Sequence, residues 1–309
     1  MEDIKLLQEK VKEEAEKKGI VILAHHYQRR EIKEVAHYVG DSLQLVKYFK
    51  DDKRKIGVFA TVYFMAETAS IYASDLGKEV YIVNPKAGCG LAESITAHQL
   101  RNLKGENPEK EVAVYVNTYA DVKAEADVVV TSAAAVEVLK NFDEMIFVPD
   151  YNLARFVEER LGKEYVKWNG SCYVHRQIKP EHILEKKEVY PEAKVMVHPE
   201  ADPACWEVAD FVGGTGGMIK YVEKNRAYVD TFIVGTEIDM ATSLKMLFPE
   251  LNFVPAREDA ICYQMKMSSL KKLYEVVKNL PEENRVLPPG EFSELAKRSI
   301  DRMYELVGR

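Results

Sequence analysis

The chain has 309 residues, 47% of them hydrophobic and 30% charged, a make-up that fits a soluble globular protein of two or three α/β units rather than one small core. A formal net charge of −7 without any basic stretch argues against a nucleic-acid binder, and no apolar run approaches the ~20 residues that span a bilayer. Four cysteines behind a charged start with no apolar signal region predict a reducing, cytoplasmic setting, with metal chemistry or inert thiols rather than disulfides.

Residues 2–18 predict a charged amphipathic helix, closed by the basic turn Lys17-Lys18 and by Gly19. Ile20-Val-Ile-Leu-Ala24 is a continuous apolar run, as expected of a strand buried on both faces of a parallel sheet. It ends in His25-His26-Tyr27-Gln28, from which a helix is expected to Val39; Gly40-Asp41-Ser42 opens another through Phe49. Strands at 56–62 and 79–83 enclose a helix from Phe64, and the second leads to Cys89. Further strands are expected at 111–116, 127–130, 145–148 and 164–168, then at 193–197, 210–212, 231–234 and 253–254, with helical segments between them. A last amphipathic helix, 292–306, is expected to pack back on the first unit.

Such βα alternation, with strands apolar on both sides, means parallel sheets covered by helices. Polar residues and glycines collect just after the strands, so the functional face is the carboxyl edge, where open α/β sheets place their ligands. The expected units are 1–86, 87–170 and 171–283, with 284–309 joining the first; lacking linkers, they must dock tightly.

Three stretches share one grammar. Glu79–Val83 runs into Asn84-Pro-Lys-Ala-Gly88 and Cys89; Glu164–Trp168 runs into Asn169-Gly-Ser171 and Cys172; Asn252–Pro255 runs into Ala256–Ile261 and Cys262. The similar spacing of 89, 172 and 262 suggests three related units, each delivering one thiolate from a loop at a strand's carboxyl end. Three buried thiols packing as small hydrophobes are the plain alternative, but turns flanked by Gly, Ser or Asp are poor places for core residues. None of the three belongs to a CxxC, which argues against zinc ribbons and ferredoxin-type runs. Single spaced ligands without a fourth suggest a four-iron cluster with one iron left for substrate. Cys205, beside Trp206 in a helical pattern, reads as a packing residue.

His198 and Glu200 flank Pro199 at a strand end, on the edge that carries the cysteines, and suit proton transfer. His25, His26 and Tyr27 make a similar set, one histidine serving only as a wall. Tyr115 and Asn117 leave the same face of their strand and can hydrogen-bond a carboxylate. Ser42, Ser132 and Thr215 each stand where a helix can begin, either as caps or as parts of anion sites. Gly213-Gly-Thr-Gly-Gly217 is too short to be read as a phosphate loop by itself.

Together these stretches resemble quinolinate synthase, the A-type family of de novo NAD biosynthesis. The motifs are Ala24-His-His-Tyr-Gln28, Val39-Gly-Asp-Ser-Leu43, Phe64-Met-Ala-Glu67, Tyr115-Val-Asn117, Thr131-Ser-Ala133, Cys172-Tyr-Val-His175, His198-Pro-Glu200, Thr215-Gly-Gly-Met218 and Pro255–Cys262. The resemblance implies three αβα units with parallel sheets in a pseudo-threefold arrangement around a [4Fe–4S] cluster on Cys89, Cys172 and Cys262. It implies condensation of iminosuccinate (iminoaspartate) with dihydroxyacetone phosphate to quinolinate, losing phosphate and two waters, and functional coupling to an L-aspartate oxidase or aspartate dehydrogenase. Substrate contacts would be His25, Ser42, Tyr115, Asn117, Ser132, His198, Glu200 and Thr215; Glu200, His198 and Tyr27 would be catalytic. The departures are His26 where Asn is frequent, Ala134 and Ala135 where an Asn is usual, and Gly214 where Ser is usual. Two other classes stay open: another Fe–S hydro-lyase acting on a small carboxylic acid, and an α/β binding module with a structural zinc on the three cysteines and His175.

Overall fold

The structure, a computed structural model, describes residues 4–307, so the expected helix residues 2 and 3 lie outside the described residues. After α1 (Ile4–Lys18) come β1 (Ile20–His25), α2 (Arg30–Lys33), β2 (Tyr38–Gly40), α3 (Ser42–Asp51), β3 (Ile56–Ala60), α4 (Tyr63–Ala73) and β4 (Glu79–Ile82). A second set follows: α5 (Ala97–Glu106), β5 (Glu111–Tyr115), α6 (Ala120–Ala124), β6 (Val128–Val130), α7 (Ala135–Leu139), β7 (Met145–Val148), α8 (Tyr151–Leu161) and β8 (Val166–Lys167). The third comprises α9 (Tyr173–Arg176), α10 (Pro180–Val189), β9 (Lys194–Val197), α11 (Pro203–Glu207), β10 (Phe211–Val212), α12 (Thr215–Asn225), β11 (Thr231–Gly235), α13 (Asp239–Leu247) and β12 (Asn252–Pro255). The chain closes with α14 (Leu270–Asn279), β13 (Arg285–Val286) and α15 (Ser293–Val307).

The three sets build one topology three times. Each makes a parallel sheet in which the order is second strand, first, third, fourth: β2-β1-β3-β4, β6-β5-β7-β8 and β10-β9-β11-β12. The cause is in the composition of the strands. Every residue of β1, β6 and β7 is buried, so neither sheet face can meet water and helices must flank both. α1 buries Leu7, Val11 and Ala15, one row at four-residue spacing, and Gly19 at φ +62 ends the helix as the sequence predicts.

The repeat holds at the level of single residues. His37, Asp127 and Asp210 each accept, through the side chain, a backbone N–H of their own sheet's first strand: Ile22 at 3.0 Å, Val112 at 2.8 Å and Val195 at 2.8 Å. Residues 25–42, 115–132 and 198–215 therefore run in step along the sequence without a gap. The loops after the fourth strands repeat as well. Thr96, Lys179 and Ser269 hold the N-cap positions of α5, α10 and α14, each seven residues beyond a cysteine (89 to 96, 172 to 179, 262 to 269). α5 packs on α6, α10 on β11, and α14 on α1 and β3, so each loop hands the chain to the next sheet and the last returns it to the first.

Three local expectations change. The helix expected up to Val39 is only the four-residue α2, because Leu23–His25 recruits Tyr38–Gly40 as the short edge strand β2. β13 was not foreseen; it adds an antiparallel edge to β4 and so joins the C-terminal segment to the first sheet. α15 itself packs chiefly on α6 and β6 of the second set, and only in part on α4 of the first. Ser299 donates to the Lys123 carbonyl at 2.9 Å and Arg302 to that of Asp127 at 3.1 Å, while Tyr72 on α4 donates to Asp301 at 2.7 Å. Among the described residues no helix is long and apolar enough to cross a membrane.

Candidate active site

The threefold topology presents four kinds of position at the carboxyl edges. At the ends of the first strands stand His25, Tyr115 and His198, and two residues further on Tyr27, Asn117 and Glu200. Past the second strands come Ser42, Ser132 and Thr215, and past the fourth Cys89, Cys172 and Cys262. All twelve line one cavity, three residues from each kind of position. No lysine or arginine is among the described residues that line it.

The three cysteine loops share their local geometry. The carbonyls of Cys89, Cys172 and Cys262 accept the N–H four residues on, from Glu93 at 2.9 Å, Arg176 at 3.0 Å and Lys266 at 3.1 Å. The N–H groups of Ala92, His175 and Met265, three residues on, face the sulfurs and favour the thiolate form. Burial works the other way: it pushes the Cys89 thiol up to about 12 and raises the other two, helped by the nearby Cys262 at Cys89, by Glu200 and the other two cysteines at Cys172, and by Glu237 at Cys262. All three are free thiols. Among the described residues, the one trio of potential ligand atoms within 4.8 Å of one another is Cys172, His175 and Glu200, so the three sulfurs do not converge on a single point. A lone zinc with Zn–S bonds of about 2.3 Å would need its sulfurs less than ~4 Å apart. Cys205 lies elsewhere, fully buried in the core of the third set, with its sulfur 3.5 Å from the Ile178 carbonyl.

A chain of close polar contacts crosses the cavity wall. Tyr27 Oη lies 2.7 Å from Thr236 Oγ1, Thr236 Oγ1 lies 2.8 Å from His175 Nε2, and His175 Nδ1 lies 2.9 Å from Glu200 Oε2. Tyr115 donates to Glu200 Oε1 at 2.6 Å. Burial alone would raise the Glu200 carboxyl, but His175, His198 and the Tyr115 hydroxyl hold it below the ordinary carboxylate range, at about 2. His175 Nδ1 thus faces the anionic Glu200, while Nε2 shares a hydrogen bond with Thr236, whose hydroxyl also meets that of Tyr27. Burial raises both Tyr27 and Tyr115 well above the ordinary phenol value, so both rest as phenols.

His25 and His198 are set alike. Each Nδ1 accepts the N–H two residues on, from Tyr27 at 3.1 Å and from Glu200 at 3.3 Å, which leaves the proton on Nε2. Burial keeps both rings neutral, lowering His198 to about 3 and His25 well below its ordinary value.

None of the three hydroxyl residues is a helix cap. Asp41 caps α3 with a full capping box, leaving Ser42 as its first residue; Gly214 holds the N-cap position of α12, leaving Thr215 first. Ser132 precedes α7 by three residues, and it is Thr131 Oγ1 that accepts the Ala134 N–H at 3.1 Å. A Cβ at Gly214 would come within 2.4 Å of Ser132 Oγ, so only a glycine lets the start of α12 lie this close to Ser132.

Of the paired histidines, His26 is the one outside the site. It faces a second cavity with Lys33, Gln44, Tyr48 and Ser243, and burial followed by Lys33 lowers it to about 4. Sequence reasoning missed Thr236 and gave His175 only the part of a zinc ligand. The signal for Thr236 was its equivalence to Thr61 and Pro149 at the ends of the third strands, visible only once the three sheets are aligned.

The family model described as quinolinate synthetase A protein matches residues 9–305. A protein of Dehalococcoides mccartyi named quinolinate synthase is 41% identical over 304 residues, covering 98% of this chain and 99% of its own. Proteins of the same name from Pyrococcus abyssi (42% over 295 residues, 94% and 96% covered) and Aquifex aeolicus (40% over 313 residues, 99% and 95%) are as similar. With the match running through all three sheets and all four kinds of site position, the chain is an enzyme that belongs to the quinolinate synthetase A protein family.

Proposed function

We propose that the protein is a quinolinate synthase that condenses iminosuccinate with dihydroxyacetone phosphate and releases phosphate and two waters. The observation that carries this reading is the joining, in one cavity, of three thiols from equivalent loops with the chain from Tyr27 to Glu200. The names of the relatives suggest the product. The donor set suits an open-site [4Fe–4S] cluster on Cys89, Cys172 and Cys262: the thiols are free, come from separate loops, meet backbone N–H groups and are spaced too widely for one zinc. When bound, such a cluster supplies an iron with a free coordination position, a Lewis acid for a hydroxyl or carbonyl oxygen.

The remaining work falls to side chains. Neutral His25 and His198 donate through Nε2 to substrate oxygens, which stabilises charge developing there without a fixed cation. Ser42 and Thr215, the first residues of α3 and α12, combine a hydroxyl with helix N–H groups and, with Ser132, hold anionic groups where no lysine or arginine is at hand. Asn117 donates to a carboxylate of the imine, and Tyr115 joins it when its hydroxyl proton turns from Glu200 to substrate. Proton transfer uses the two ends of this array: Glu200, held as the carboxylate, takes a proton from substrate, and Tyr27, which rests as the phenol with its hydroxyl set by Thr236, faces the same cavity as a donor. The buried side chains along the cavity limit the water that reaches the imine.

The test is anaerobic reconstitution with iron and sulfide, followed by assay for quinolinate from the two substrates. Iron-loaded protein that forms no quinolinate sinks the reading; turnover of a small acid without the phosphate substrate would favour a hydro-lyase instead.

A further inference from the structure

One repeated position is not used by the chemistry above. Two residues past the third strands stand Val62, Asp150 and Glu237. Asp150 and Glu237 are fully buried. Glu237 Oε1 accepts the backbone N–H of Cys262 at 3.1 Å, and Oε2 accepts that of Asp239 at 2.9 Å. Lys266, on the same loop as Cys262, brings Nζ to 2.7 Å from both Glu237 Oε1 and Asp239 Oδ2, and it donates to the Tyr27 carbonyl. In the second set Asp150 Oδ1 accepts the Leu153 N–H at 2.7 Å, its side chain lies close to the N–H of Cys172, and its backbone bridges to Gly170 on the same loop. Val62 offers Cys89 no acceptor.

A carboxylate taken out of water is costly unless donors satisfy it. Here an acidic side chain is buried twice at equivalent places, bonded to the N–H of Cys262 in the third set and close to that of Cys172 in the second, and both cysteines line the cavity. We propose that Asp150 and Glu237 are positioning residues that hold the Cys172 and Cys262 loops in shape before any metal arrives, and that Lys266 ties the second hold to Tyr27. The purpose rests on the ligand role proposed above, but the contacts belong to the iron-free protein, so they can be tested there.

The experiment measures, by mass spectrometry, the rate at which N-ethylmaleimide modifies each cysteine of reduced, iron-free protein. Glu237→Ala should speed modification of Cys262 by about tenfold or more, the factor carried by one hydrogen bond to a charged group in a local opening equilibrium. Cys89 and Cys172 should keep their rates. Asp150→Ala should do the same for Cys172 alone, and Glu237→Gln, whose amide oxygen still accepts, should restore the slow rate at Cys262. Unchanged rates, or equal acceleration of all the cysteines, overturns the proposal. If the alanine variants do not fold, amide hydrogen exchange in the unaltered iron-free protein decides: the Cys172 and Cys262 amides must exchange more slowly than that of Cys89, and equal exchange overturns the idea. Failure to load iron would count against the proposed function and leave these rates readable.

Discussion

Tyr115 donates its hydroxyl proton to Glu200 Oε1 at 2.6 Å, across the boundary between the second and third sheets. With His175 Nδ1 at 2.9 Å from the other oxygen, both carboxylate oxygens face donors, which is why a fully enclosed acid can stay ionised. The bond also joins two sheets that the chain connects through the Cys172 loop, so one contact serves both the fold and the chemistry.

Glu200→Gln keeps the shape and the Tyr115 bond but removes the proton acceptor. Turnover should fall by ~10²–10⁴ with the cluster and melting temperature retained. Near-normal quinolinate production by this variant would retire Glu200 as the base.

Thr236→Val keeps volume and deletes the hydroxyl between Tyr27 and His175. Turnover should fall while KM changes little, and Thr236→Ser should recover most of the loss. A valine variant as fast as the unaltered enzyme would mean that Thr236 does not set the Tyr27 hydroxyl for catalysis.

Ser42→Ala and Thr215→Ala remove hydroxyls from first-turn residues whose helices are capped by others. A capping role would cost ~0.5–2 kcal/mol on removal; here the melting temperature should hardly move while KM for a substrate rises. A lowered melting temperature with unchanged KM would return these residues to the scaffold.

The βα alternation and the strand edges were legible in the sequence because two-sided apolar runs such as Ile20–Ala24 and Met145–Val148 leave little choice of partner. So was the placing of the twelve candidates at or beyond the ends of strands, which brings them to one cavity. β2 was not, because three residues beside a short helix carry no periodicity, and only pairing with β1 makes Tyr38–Gly40 a strand. The hydroxyl residues look like caps, yet Asp41 and Thr131, one residue earlier, make the bonds. Thr236, Asp150 and Glu237 stayed hidden since single buried polar residues after strands have no local pattern; what marks them is their register with one another.

Stability should carry an acid-side signature from His26. The unfolded ring protonates near 6.5, whereas burial delays protonation in the fold to about 4. Between those values the unfolded state binds the extra proton, so this contribution is complete above pH 6.5 and is lost as pH falls towards 4. At about 1.4 kcal/mol per pH unit, His26→Gln should flatten the curve by roughly 3 kcal/mol over the window. Urea unfolding from pH 7 to 4 measures it, and parallel curves for the two proteins would contradict the burial of a neutral ring.

The four cysteines separate the readings of the site. Cys89, Cys172 and Cys262 each stand seven residues before a helix cap, in loops that pass from one sheet to the next and line the shared cavity. Cys205 is buried beside Trp206, with only the Ile178 carbonyl for its sulfur to meet. A cluster on three thiolates has no spare ligand, so alanine at 89, 172 or 262 should give colourless, inactive protein after anaerobic reconstitution. Cys205→Ala leaves a void of one sulfur in a packed core, a modest loss of stability, and should remain brown with about four irons per chain. A zinc module would stay colourless in every case, and the spacing of the sulfurs already argues against it. If Cys205→Ala lost its iron while one of the other three kept a full cluster, the equivalence of the three loops would no longer describe the metal site, and the symmetry would be a property of the scaffold alone.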